Sequence, residues 1–222
     1  MQQEYFARID SLMHPAVITR PNIANATWLL SSFGANPSRE HFAQVERCIV
    51  YSRDHKFLAL CYDGHIRNPA DTELIFKGAS DAAFADDTET RRSTEGYLFK
   101  LFGGPIDWKA RKQQTATTST TEAELLSLQH AAKEIQSWKH LFEEIDFDPE
   151  QPDNTIECDN QQTVRLVTLD HPIVKINIRH VHISDLWVRQ EQREGRINVV
   201  WIDSARMPAD GLTKPLPKQK FG

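Results

Sequence analysis

The stretch "TSTTEAELLSLQHAAKEIQSW", Thr118 to Trp138, decides how the rest of the chain is read. Leu128, Ala131, Ala132, Ile135 and Trp138 recur at helical spacing and continue through Phe142 to Ile145. A long helix over 120–145 is expected, packing on something through that stripe. Upstream, "ELIFKGASD" (73–81) reads as a strand, and "GYLFKLFGGPIDWKAR" (96–111) as a hairpin around Gly103-Gly104-Pro105. Downstream, "NTIECDN" and "INVVWID" read as strands, and "QQTVRLVTL", "INIRHVHISDLWVRQEQREG" and "PADGLTKPL" as helices. The order is βββ-α-β-α-α-β-α. A meander followed by strand–helix alternation specifies a mixed α/β fold with a partly parallel sheet.

The same helix opens with two glutamates that helical phase separates. Glu124 lies four residues before Leu128, on the face of the apolar stripe. Glu122 sits roughly 200° around the helix from it, on the side of Gln129 and Lys133. Either can be a capping acid, because Ser119-Thr-Thr-Glu122 and Thr121-Glu-Ala-Glu124 both have the S/T-x-x-E spacing. For Glu122 on the polar side the cap suffices. For Glu124 a cap would leave a carboxylate at the mouth of a buried stripe with no basic residue near it in sequence, which is costly unless a cation or a function compensates.

Three further acids stand at element ends: Asp81 closes "LIFKGASD", Asp159 follows "TIEC", and Asp210 opens "DGLTKPL". Aspartate is ordinary in turns and at N-caps, so each has a structural explanation when taken singly. Together with Glu124 they place an acid on four successive core elements. Ligands of open α/β sheets collect beyond the carboxyl ends of parallel strands. Four converging carboxylates repel one another unless they surround divalent cations, and hard oxygen donors suit Mg²⁺ or Mn²⁺.

The bulk properties narrow the choice. The 222 residues suit one domain with a smaller appendage, and the net charge of −5 gives no generic attraction for phosphate backbones. Cys48, Cys61 and Cys158 are widely spaced without a CxxC, which argues against a disulfide framework or a zinc site. The opening "MQQEYFARIDSLMHPAV" has no signal pattern, and no apolar run approaches the ~18 residues of a membrane span. An intracellular, soluble chain without membrane contact is expected. Residues 1–53 read as helical, with one helix from Pro21 and another capped by Ser38, while 57–70 read as a strand and turn.

At this point the residues resemble a family. "SDAAFADDTETRRSTEGYLFKLFGGPIDWKARKQ", "STTEAELLSL", "CDNQQTV", "RHVHISDLWVRQE" and "MPADGLTKPL" are similar, in order and spacing, to the ribonuclease H domain of Ty1/copia-type retrotransposon polyproteins. The resemblance covers 73–217. It implies a ribonuclease H-like mixed five-stranded sheet flanked by helices, preceded by a small helical segment. Residues 1–72 resemble the C-terminal part of the reverse transcriptase without its palm, and 218–222 read as a truncated tail. "FADD" (84–87) only superficially resembles a polymerase motif.

What the resemblance implies is hydrolysis of the RNA strand of RNA–DNA hybrids with two Mg²⁺ or Mn²⁺ ions. The family's catalytic, metal-binding acids fall on Asp81, Glu124, Asp159 and Asp210. Asp81 would bridge both ions, Glu124 and Asp159 would each complete one side, and Asp210 would complete the coordination of the second ion. The implied partners are the hybrid and the palm and fingers of the same polyprotein, in cytoplasmic particles or the nucleus.

Weaker candidates for substrate contact are Asn160 and Gln161, which can reach 2′-hydroxyls or cap a helix, and Arg111, Lys112 and Gln113, which can meet phosphates or end a strand. His180 stands in "RHVH", where the family has Lys-His-Ile-Asp; it is a proton-transfer candidate or a packing histidine, and His182 replaces the usual aspartate. Trp108 reads as core. Two alternatives compete. An inactive, truncated fragment that folds and binds nucleic acid or a partner is compatible with the missing palm. An integrase or transposase core is disfavoured, because there the glutamate comes last in the chain, whereas here it comes second.

Overall fold

The computed structural model describes residues 2–63, 75–87, 89–149, 154–169 and 179–216. Three helices come first: α1 (Gln2–Ile18), α2 (Pro21–Ser31) and α3 (Arg39–Asp54). Then come β1 (Phe76–Ala83), β2 (Thr94–Leu101), β3 (Gly104–Lys112), α4 (Thr120–Glu144), β4 (Thr155–Cys158), α5 (Gln161–Thr168), α6 (Arg179–Arg193), β5 (Asn198–Trp201), a 3-10 turn (Ser204–Arg206) and α7 (Asp210–Thr213). The strands form one five-stranded sheet in the order β3-β2-β1-β4-β5. β1 and β2 pair antiparallel, as do β2 and β3, whereas β4 runs parallel to both β1 and β5. This is the mixed five-stranded sheet flanked by helices that the ribonuclease H resemblance implied.

Local chemistry accounts for the elements. The β2–β3 hairpin turns through Phe102 and Gly103, whose φ values of 51° and 77° are both left-handed, as a two-residue type I′ turn requires. Side chains of β2 alternate: Tyr97 and Phe99 join the core under α4, and Leu98 points to the opposite face with Trp108 and Ala110. α4 begins at Ser119, whose hydroxyl accepts from Glu122 N at 3.2 Å. It buries Leu125, Leu128, Ala131, Ala132 and Ile135 against Phe76, Phe99, Ile156 and Val199. Ile145, expected on that stripe, is instead the exposed C-cap, because the chain turns away there.

The first three helices have their own small core of Tyr5, Ile9, Leu12, Ile23, Leu30 and Val45, and Tyr5 Oη donates to Leu30 O at 2.7 Å. Ser38 caps α3 in a reciprocal box with His41. This helical layer rests on the free face of the hairpin. Trp108 is buried there and donates its indole N–H to Ala16 O at 2.7 Å, beside Leu98, Leu212, Ala24 and Leu60. The strand expected in 57–70 is not formed over 57–63. Phe57 is 87% exposed, and the segment touches the sheet through Asp63 N on Phe102 O and Tyr62 Oη on Pro105 O, both at 2.8 Å. Residues 64–70 of that expectation lie outside the described residues, as does the 218–222 tail.

Candidate metal and active site

The site is built where two parallel strands end side by side. In the β1–β4 register Ser80 faces Cys158, so the next residues, Asp81 and Asp159, emerge together. Ser80 turns its hydroxyl to Ser127 of α4 (3.1 Å); by alternation Asp81 points to the other face, where α7 lies. Gly96, the cross-strand partner of Asp81, lets α7 come close: a Cβ there would sit 2.7 Å from Leu212 Cβ. α7 thereby brings Asp210, Thr213 and Lys214 to the same point. Carboxylate oxygens of Asp81, Asp159 and Asp210 lie within 4.8 Å of one another. Asp81 and Asp210 are each 1% exposed, and Asp159 is half-buried.

Glu124 adjoins this trio from the first turn of α4. It is 5% exposed, its carboxylate accepts from the Ala82 backbone, and its Oε2 has no hydrogen-bond partner among the described residues. Burial, then the charges of Asp81 and Asp159, push its carboxyl well above the usual carboxylate range. Burial also raises Asp81, against the Thr213 hydroxyl and Lys214, which lower it. The Thr213 hydroxyl donates to Asp81 Oδ2. Lys214 Nζ is 2.6 Å from Asp210 Oδ1 and 3.8 Å from Asp81 Oδ2. Burial pulls the Lys214 ammonium down, but the bond to Asp210 and the surrounding acids outweigh it and raise it overall. Ser127 Oγ donates to Asp81 O at 2.9 Å, fixing α4 against β1 one turn beyond Glu124.

An unpartnered buried oxygen beside three clustered carboxylates fits a hard divalent cation. The four expected acids therefore meet on adjoining elements, three of them in one tight group and Glu124 next to it.

The other candidates fare differently. Glu122 does cap α4, but its Oε2 reaches back to Thr118 N and Thr118 Oγ1, both at 2.7 Å. It is buried rather than on a polar face, because the 113–118 loop folds over it. Gln113 is buried too and spends its amide on Ala123 O at 2.7 Å, so it has no surface to offer a substrate. Arg111 pairs with Glu95 and Lys112 with Asp87. Asn160 is the N-cap of α5, accepting from Thr163 N at 3.0 Å, while Gln161 stays exposed beside Asp159. His180 and His182 fall in the first turn of α6, whose first four side chains lie outside the described residues. In "FADD", Asp86 accepts from Thr94, and Asp87 from Glu89 N and Thr90, so both hold the β1–β2 connection. The three cysteines are free. Among the described residues no helix is long and apolar enough to cross a membrane. Sequence reasoning missed Thr213, Lys214, Ser127 and Gly96; the signal for the first two was their place in "DGLTKPL" beside Asp210.

The acids gather past the parallel strand ends of this mixed five-stranded α/β sheet. The chain is similar to Pol polyproteins of copia-type and Ty1 retrotransposons, and it spans only a small part of their length. It is 32% identical over 217 residues, 98% of its length, to the retrovirus-related Pol polyprotein from transposon TNT 1-94 of Nicotiana tabacum, and spans 16% of that protein. It is 36% identical over 130 residues to secreted RxLR effector protein 161 of Plasmopara viticola, covering 59% of this chain and 87% of that one. Among solved structures, LC11-RNase H1 in complex with an RNA/DNA hybrid superposes with a TM-score of 0.47 at 12% identity, over 62% of this chain and 93% of that one. No family model matches the chain.

Proposed function

We propose that the chain is the ribonuclease H part of a retrotransposon polyprotein, cutting the RNA strand of RNA–DNA hybrids during reverse transcription. The observation that carries the reading is the group of Asp81, Asp159 and Asp210 within 4.8 Å, with the unpartnered Glu124 oxygen next to it. In this reading Asp81, Glu124, Asp159 and Asp210 would hold two divalent ions, Mg²⁺ or Mn²⁺. Such ions would supply an activated water and neutralise charge on the leaving 3′-oxygen. The chain's own part is preorganisation: Ser127 and Gly96 fix the distances between α4, β1 and α7, so the carboxylates need not reorganise as charge develops. Gln161, exposed beside Asp159, is suited to contact a 2′-hydroxyl, with Asn160 orienting that turn through its cap. Arg111 and Lys112, though paired with acids, lie at the β3 end as phosphate contacts for the hybrid.

In the same reading residues 1–72 are the end of the reverse transcriptase, 73–217 the nuclease and 218–222 a short tail behind it. The palm and fingers of the polyprotein would supply most of the nucleic-acid grip that a net charge of −5 does not. A hybrid with end-labelled RNA, incubated with the purified chain in Mg²⁺ and in EDTA, tests the reading. RNA fragments in Mg²⁺ alone, with the same RNA untouched when single-stranded, are expected.

The second reading is a non-catalytic module. It is favoured by the likeness to secreted RxLR effector protein 161, a relative of which this chain covers 87%. Tight hybrid binding without any cleavage in Mg²⁺ or Mn²⁺ would select it.

A further inference from the structure

We infer that Lys214 is a tethered counter-ion that occupies the cation position of the acid group and competes with divalent metal for it; this rests on the metal-site reading above. The observation is geometric. Lys214 Nζ lies 2.6 Å from Asp210 Oδ1 and 3.8 Å from Asp81 Oδ2, so one ammonium bridges two of the three clustered carboxylates. Both carboxylates are almost wholly buried, while the lysine side chain is 44% exposed. The acids are held in place, and the cation is not.

The backbone permits the exchange. Lys214 is the residue just past α7, in an extended conformation with φ −143° and ψ 152°. Its stem of four methylenes can swing into solvent without moving Asp210, which stays anchored in the helix. An ammonium is a compact point charge with freely rotating donors, suited to neutralising carboxylates without demanding a fixed geometry.

The two sides of the site are then unequal. On the α7 side, Asp210 and Asp81 already share the single charge of Lys214, with the Thr213 hydroxyl on Asp81 Oδ2. On the α4 side, Glu124 Oε2 has no partner among the described residues. A divalent ion entering beside Glu124 meets no cation bonded to that oxygen among the described residues, although the charge of Lys214 still reaches it. One entering between Asp81 and Asp210 must displace Lys214, so the lysine weakens that step and sets the metal concentration at which the site fills. In exchange it keeps buried carboxylates from repelling one another when metal is scarce.

Isothermal titration of the metal-free chain with Mn²⁺, without nucleic acid, tests this in wild type, Lys214→Met, Lys214→Gln, Lys214→Arg and Asp159→Asn. Lys214→Met and Lys214→Gln should bind Mn²⁺ more tightly by on the order of tenfold, since only the lysine end of the pair is screened by solvent. Both should melt lower than wild type in EDTA and recover in Mn²⁺. Lys214→Arg, which keeps the charge, should stay near wild-type affinity. Unchanged or weaker Mn²⁺ binding by folded Lys214→Gln overturns the inference, as does tightening in Lys214→Arg equal to that in Lys214→Gln. Wild-type heats that are absent, or that persist in Asp159→Asn, remove the metal-site reading and the inference with it. That result is distinct from a wild type that binds metal and a lysine that does not matter.

Discussion

Asp159→Asn removes one charge from the acid group at nearly constant shape, and its effect on stability in the absence of metal can be worked from the geometry. The ligand oxygens of Asp81, Asp159 and Asp210 lie within 4.8 Å of one another. At an effective dielectric of about 20, two like charges at that separation repel by about 3 kcal/mol. Asp159 faces two such neighbours. The repulsion is reduced by Lys214, by the upward shift of Asp81, and by solvent at half-buried Asp159. A net relief of about 1–2 kcal/mol remains, which raises the melting temperature of a chain this size by about 2–8 °C. Among the described residues the side chain of Asp159 makes no hydrogen bond to set against this; it is the backbone carbonyl that accepts from Trp201 Nε1. Calorimetry in EDTA should therefore show the variant melting above wild type. In saturating Mg²⁺ the order should close or invert, because wild type gains about 2.7 kcal/mol at a hundredfold excess over Kd and the variant does not. A variant that melts below wild type in EDTA would refute the electrostatic reasoning and make Asp159 a structural residue.

The same geometry has other measurable consequences. Glu124 and Asp81 have folded-state pKa values raised above their unfolded ones. Each therefore binds its proton more tightly when folded, so the metal-free fold loses stability as pH rises from about 4.3, the unfolded glutamate value, through the folded value. Melts in EDTA across pH 5–8 should fall with pH in wild type and fall less in Glu124→Gln; parallel curves would count against a strained Glu124. Gly96→Ala puts a methyl against Leu212 Cβ and should cost about 1–3 kcal/mol in urea unfolding while weakening Mn²⁺ binding, because α7 is displaced; retention of both would show that close approach is not needed. Trp108→Phe breaks the bond to Ala16 O and should cost about 1–2 kcal/mol, with faster hydrogen exchange in α1 but not in α4.

Helical phase was enough to single out Glu124, because a residue four places before a core leucine must share its face. The hairpin and the alternation of later strands and helices were legible for the same reason: each rests on a local period. Phase could not foresee what covers a face from outside. Glu122 has the polar angle expected of it, yet the 113–118 loop buries it and the preceding Thr118 satisfies it. The helix-docking role of Gly96 depends on a partner more than a hundred residues along the chain, Leu212. Lys214 was visible in "DGLTKPL" but carried no meaning until α7 was set against β1. The strand expected in 57–70 is not formed over 57–63, where only Tyr62 and Asp63 bond to the hairpin; the apolar run itself does not say which of its backbone groups find a partner.

Under the proposed function Asp81, Glu124, Asp159 and Asp210 would make a hybrid-specific, metal-dependent nuclease. The most direct measurement is the rate of RNA-strand cleavage in an RNA–DNA hybrid in Mg²⁺, for wild type and Asp159→Asn purified side by side. Wild type should give RNA fragments and intact DNA. The variant should be slower by at least about a hundredfold, the scale on which removing one preorganised charged group slows such reactions. Intact RNA with folded wild type, where a control ribonuclease H cuts the same hybrid, would contradict the claim, as would equal cleavage by both proteins.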